Sequence, residues 1–150
     1  MAAGDEFTPE AYREAAAEHF GRMGRAYDQD DFAWALFVAG LAVENLFRAY
    51  HLRVAREFDA RHGLRDLARA SKFADAVPPR QAEAYAAALG RVAAAWSSND
   101  RFRPEAGVRR RLKRLNLDRG VKGDFLKEVA RRPVSDATLI VSIGVKRWKT

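Results

Sequence analysis

The chain contains no cysteine among its 150 residues, which excludes disulfides and thiolate metal sites; a reducing cytoplasm is the compartment that fits. Histidine is almost as scarce. Only His19, His51 and His62 occur, and His19 and His51 stand singly with no ligand spacing, so neither a metal nor a cofactor is expected. The longest apolar run, "FAWALFVAGLAV" at 32–43, falls short of the ~20 residues that a bilayer-spanning helix needs, so no membrane partner is expected. Asp5 and Glu6 stand where a secretory leader would carry its apolar segment, and no signal peptide is expected. Proline is sparse too: five residues, at Pro9, Pro78, Pro79, Pro104 and Pro133, which leaves long stretches uninterrupted. There is no internal repeat and no low-complexity tract. A chain of this length forms one domain by default.

What is abundant is positive charge, and it is unevenly placed. Residues 101–150 hold 15 Lys and Arg against 5 Asp and Glu, whereas the first hundred hold 12 against 15. A basic half on a mildly acidic chain is the footprint of a protein that binds anions or nucleic acid.

Apolar spacing predicts helices throughout. Thr8 and Pro9 make a helix start, since the hydroxyl can cap and proline at the first position wastes no amide. Tyr12, Ala15, His19, Phe20, Met23 and Tyr27 then recur at three- and four-residue steps. The segment 32–58 is apolar nearly all round in its first half, the mark of a central helix. Ala39, Gly40 and Ala42 are small enough there to let a neighbour approach closely. A shorter helix is predicted over Leu64–Ala74 and a fourth over 80–96, stopped by Ser97-Ser98-Asn99-Asp100. Segment 104–115 carries Val108, Leu112 and Leu115 on one stripe with arginines around the rest. A short helix over 122–132 is predicted to end before Pro133. Residues 135–148 read equally as strand, from the β-branched run Ile140-Val141-Ser142-Ile143, or as helix. The expected architecture is all-α, with four or five main helices.

Three stretches resemble the HEPN family, the higher-eukaryote and prokaryote nucleotide-binding helical bundles. "AVENLFRA" at 42–49 is similar to its Ala-x-Glu-x-x-x-Lys/Arg-Ala stretch, and "RHGLRDLA" at 61–68 to the start of its third helix. "DRFRPEA" at 100–106 resembles the Arg-Tyr-Pro-Asp-Ala turn after its fourth long helix, with Phe102 for tyrosine and Arg103 inserted before Pro104. The resemblance spans roughly residues 8–106. It implies an up-down four- or five-helix bundle of HEPN type, here with a core of about 8–106 and a basic C-terminal extension over about 107–150. It also implies a homodimer that binds nucleotide or RNA, in some members beside a nucleotidyltransferase partner, in others as a metal-independent ribonuclease of toxin-antitoxin or antiphage systems. The nuclease branch carries Arg, four to six residues, then His on the last long helix. Arg91 occupies that helix here, but Trp96, Ser97 and Ser98 stand where the histidine would fall. Arg13 with His19 and Arg56 with His62 reproduce the spacing only on other elements. Binding without the usual ribonuclease motif is therefore expected.

The candidate site residues follow. Glu44 interrupts an apolar run and has Arg48 one turn on, an arrangement open to two readings: a structural ion pair, or a pair facing a cleft in which Arg48 meets phosphate. Asn99 and Asp100 could read a base edge. Phe102 could stack on a base, and Arg101 and Arg103 could fork onto phosphate. Alternatively, Trp96 and Phe102 close the bundle end and Asp100 pairs with Arg101 or Arg103. Arg109, Arg110, Arg111, Lys113 and Arg114 are too dense to be balanced locally and suit a phosphate backbone. His62, with Asp59 or Asp66 beside it, lacks a nucleophile and reads as a loop histidine.

Overall fold

The computed structural model describes residues 7–55 and 63–148, so His62, Arg56 and Asp59 lie outside the described residues, as does the first part of the 61–68 stretch. Within the described residues the chain is helical and has no strand. The helices are α1 (Pro9–Asp28), α2 (Phe32–Ala55), α3 (Leu64–Ser71), α4 (Ala82–Ala95), α5 (Glu105–Arg114) and α6 (Phe125–Arg147).

The local chemistry sets the boundaries. The Thr8 hydroxyl accepts a hydrogen bond from the Ala11 amide at 3.0 Å, and Pro9 opens α1 as expected. Asp30 takes a left-handed conformation (φ 61°), which turns the chain at once into α2. α3 stops three residues short of the expected Ala74, because Lys72 is left-handed (φ 56°). A 3₁₀ turn over Phe73–Ala76 follows and drives Phe73 into the core. The Phe73 ring meets Phe47, Tyr50 and Tyr85 at 4.8–5.4 Å between centroids, within the range of favourable aromatic packing.

α2 is the axis of the bundle and packs against α1, α3, α4 and α6. Taken whole, it is long and apolar enough to cross a bilayer, which the run 32–43 alone is not; 83% of its most apolar window is buried inside the bundle. Full burial of side chains such as Leu36, Leu46 and Phe47 is worth about 1.5–3 kcal/mol each. Close approach happens where Gly40 lies under the Trp96 ring. A Cβ built at Gly40 would sit 2.0 Å from Trp96 Cδ1, and the indole nitrogen donates to the Phe37 carbonyl at 2.9 Å. This contact fastens the end of α4 to α2 and fixes where the next turn begins.

The expected helix end before Pro133 is not observed. α6 runs through Pro133 as one helix, and 135–148 is helical rather than a strand. A proline inside a helix removes one hydrogen bond and costs about 3 kcal/mol. Burial on both sides of it offsets that cost. Leu126, Val129 and Ala130 join a cluster with Phe32, Leu36, Val108 and Leu112, while Ala137, Ile140, Val141 and Ile143 enter the main core. A core of 8–106 is thus incomplete without α6, and the basic C-terminal part is built into the bundle. Its far end is tied down at Trp148, where the Arg53 guanidinium lies 4.2 Å from the ring and donates to the Trp148 carbonyl at 2.7 Å. Arg13 lies 5.6 Å from the same ring.

Candidate functional site

The turn after α4 is built around one buried carboxylate. Asp100, whose side chain is 2% exposed, accepts from Arg103 at 2.8 Å and from Arg111 Nε at 3.0 Å, with a second contact from Arg111 Nη2. The same Nη2 also donates to the Ala95 carbonyl at the end of α4 (2.7 Å). Ser97 caps the 3₁₀ turn Ser98–Phe102 by accepting from the Asn99 amide, and it accepts from Arg103 as well. Asp100, Arg103 and Arg111 are therefore clamp residues that hold α5 against α4. Of the two pairings expected for Asp100, the one with Arg103 forms. Arg111 is the partner that sequence reasoning did not assign to it.

The clamp leaves Arg101 and Phe102 outside. Phe102 is 79% exposed. Arg101 donates from Nε to the Ser98 carbonyl at 3.0 Å, and its guanidinium lies 5.9 Å from the Phe37 ring and 5.6 Å from that of Phe102. Trp34, 46% exposed, packs on Phe37 at 5.2 Å. Phe102 thus does not close the bundle end; Trp96 does. Trp34, Arg101 and Phe102 are thus exposed flat groups, Trp34 and Arg101 lying over the buried Phe37 ring, and Asn99 is exposed on the same turn. Trp34 was not singled out in the sequence, where it is one more aromatic in an apolar run.

α5 buries Val108 and Leu112 and turns Arg110, Lys113 and Arg114 to solvent. Lys113 lies 5.6 Å from the Phe125 ring. Arg109 is half-buried. Among the described residues none of these four makes an ion pair, in contrast to Arg103 and Arg111. Glu44 and Arg48 lie elsewhere. They are buried on α2, paired at 3.6 Å, and close enough to Tyr12 on α1 for their charges to act on its hydroxyl; the Glu44 charge also acts on His19. Arg48 and Glu44 therefore belong to the α1–α2 interface and are not gathered with the Arg101 turn.

The histidine and arginine candidates are also placed. Burial first, and then Arg22, push the His19 pKa below its ordinary value, and its ring bonds Arg22 at 3.1 Å. Its spacing partner Arg13 is engaged with Trp148. His51 is buried against the Ala70 carbonyl. Arg91 forks onto buried Asp136, with Nε and Nη2 at 2.8 and 2.9 Å from its two oxygens, and these bonds raise the guanidinium pKa above its ordinary value.

A second feature had no sequence signal. Between α4, α6 and the connecting residues 115–124 lies a cleft of ≈ 640 Å³, which contains Arg91 and is rimmed by further cations. The residues forming it are far apart in the chain, and no local pattern joins them. Among the described residues no group of three or more His, Asp or Glu is placed to hold a metal ion. Compared with protein-family models, with curated proteins and with solved structures, the chain matches none.

Proposed function

We propose that the chain is a HEPN-like helical bundle that binds RNA without cleaving it. One observation carries the reading: Arg110, Lys113 and Arg114 present an exposed cationic face with no ion pair among the described residues. It continues the turn on which Arg101 and Phe102 stand outside the Asp100 clamp. Phosphates would lie along α5, where cations give affinity without sequence readout. Bases would stack on the exposed Phe102, Trp34 and Arg101, which tolerate any base because each base has a π-face. The family resemblance is supported by the placement of its stretches. "AVENLFRA" lies on the second helix of an all-α bundle, and "DRFRPEA" forms the turn after the fourth. The reading omits cleavage because Arg91 is bound to Asp136, and Trp96, Ser97 and Ser98 follow where a base would be needed. The resemblance extends the proposal to a cytoplasmic homodimer able to pair with a nucleotidyltransferase.

The test is Arg110→Ala/Lys113→Ala/Arg114→Ala in a gel-shift with labelled single-stranded RNA. The proposal expects affinity to fall by at least about tenfold with the melting temperature unchanged, and the recovered RNA to be intact. Undiminished affinity would remove the α5 face from the account, and cut RNA would replace binding with catalysis.

A further inference from the structure

We propose that the cleft between α4, α6 and residues 115–124 binds a small amphiphilic carboxylate, a hydrocarbon chain or ring that ends in a single carboxylate group. The site is distinct from the α5 face and does not depend on it.

The cleft is of small-molecule size, at ≈ 640 Å³. Its apolar lining sits deep: Ala95, Val129 and Pro133 are buried, and Leu117 and Val121 are half-buried. None of these side chains carries a polar atom. A hydrocarbon body that enters here takes apolar surface out of water on both sides, which is favourable. A sugar or the edge of a base would give up its hydrogen bonds to water and meet no polar side chain on this floor, which is costly.

The cations line the same cleft but are exposed, so they stand at its mouth. Two of them already hold carboxylates. Arg91 forks onto Asp136 through Nε and Nη2, at 2.8 and 2.9 Å, and Arg131 Nε meets Glu128 at 3.3 Å. Arg119, Lys122 and Arg132 make no ion pair among the described residues and leave the mouth positive. A planar carboxylate fits the fork of a guanidinium, and so matches Arg119 or Arg132 in the way that Asp136 matches Arg91. Glu128 lines the cleft as well, and its charge works against a doubly charged head such as a phosphate monoester. Gly120 (φ 74°) and Gly123 (φ 89°) give the connection the left-handed turns that set Arg119 and Lys122 at this mouth. The floor thus selects a body without polar groups, and the mouth selects one singly charged, planar head.

Titration calorimetry on the full chain tests both halves of the ligand. The probes are octanoate and 3-phenylpropionate, with acetate as the head alone, 1-octanol as a body without charge, and octyl phosphate and AMP as competing chemistries. At least one of the two acids is expected to bind one to one, and the tighter of them tells whether the body is a chain or a ring. Acetate and 1-octanol are each expected to be at least about tenfold weaker. Arg119→Ala/Lys122→Ala is expected to cost the tighter acid at least about tenfold without lowering the melting temperature. Ala94→Glu, which sets a like charge at an exposed position of the wall, is expected to do the same. Arg110→Ala/Lys113→Ala/Arg114→Ala is expected to leave the acid bound, so this site and the α5 face can fail separately. The proposal is overturned if neither acid binds, if 1-octanol binds as tightly as the acid, or if either cleft variant leaves binding unchanged. It is overturned equally if octyl phosphate or AMP binds at least as tightly as the acids.

Discussion

Replacing Gly40 by alanine should destabilise the protein, although alanine is by far the better helix former. Ordinary van der Waals contact begins at 3.4 Å, and the new Cβ would stand 2.0 Å from Trp96 Cδ1, so the indole has to retreat by about 1.4 Å. That movement breaks the hydrogen bond from Trp96 to the Phe37 carbonyl, worth about 0.5–1.5 kcal/mol. Overpacking of the surrounding core adds about 1–3 kcal/mol. The gain in helix propensity returns about 1 kcal/mol. The net is a loss of about 2 kcal/mol, or roughly 4–8 °C in melting temperature for a chain of this size. Gly24→Ala is the matched control. Nothing lies within 4 Å of a Cβ there, so propensity acts alone and the variant should gain roughly 0.5–1 kcal/mol. Thermal melts by circular dichroism on both variants decide the matter. If Gly40→Ala were as stable as Gly24→Ala, Trp96 would not be seated on Gly40, and the placement of the turn that carries Arg101 and Phe102 would be wrong.

Asp100→Ala should cost about 3 kcal/mol in a urea melt, because it strands the guanidinium of Arg111, only 11% exposed, without its counter-charge. An unchanged midpoint would refute the clamp. Phe102→Ala should weaken single-stranded RNA by about tenfold in anisotropy while stability stays within ~0.5 kcal/mol; a large drop in stability would return Phe102 to a packing role. Stability should decline as pH falls below about 6.5. Burial lowers the His19 pKa in the fold, so the unfolded chain takes up the proton first and acid favours it. The decline should shrink in His19→Gln, measured by urea melts at pH 7.5 and 5.5, and an equal slope in the variant would contradict the assignment. Tyr85, pushed up to about 12 by burial, should remain un-ionised in an absorbance titration at 295 nm until pH approaches that value; ionisation near pH 10 would mean that its hydroxyl is solvated.

The sequence made the helices legible wherever periodicity and caps agreed, as at Thr8-Pro9 and along α2, where the small residues around Gly40 also pointed to a close approach. It misled at Pro133. There the local rule against proline in a helix lost to burial on both flanks, which is a tertiary effect. The β-branched run Ile140–Ile143 was undecidable locally for the same kind of reason: α2 and α4 select the helix by packing on its stripe. For the candidate site, the 99–114 region was visible as charge and aromatics, but its division was not. Which arginines face Asp100 and which face solvent depends on how α5 packs on the starts of α2 and α6 and meets the end of α4 at Ala95, and neighbouring residues are identical in type. Glu44 and Arg48 were correctly paired, and the structure places the pair against α1. The cleft could not have been found at all, because Arg91, Arg119 and Arg132 meet only in three dimensions.

On the proposed reading, the uncompensated cationic face of α5 binds RNA through phosphates. The most direct test of that reading is the salt dependence of affinity for a labelled single-stranded RNA, followed by anisotropy from 50 to 200 mM salt. With about four phosphates neutralised, log affinity should fall against log salt with a slope of about −3, or roughly fifty-fold across that range. The Arg110→Ala/Lys113→Ala/Arg114→Ala variant should flatten the slope. An affinity that does not change with salt, or a slope that those three substitutions leave as steep as before, would contradict it.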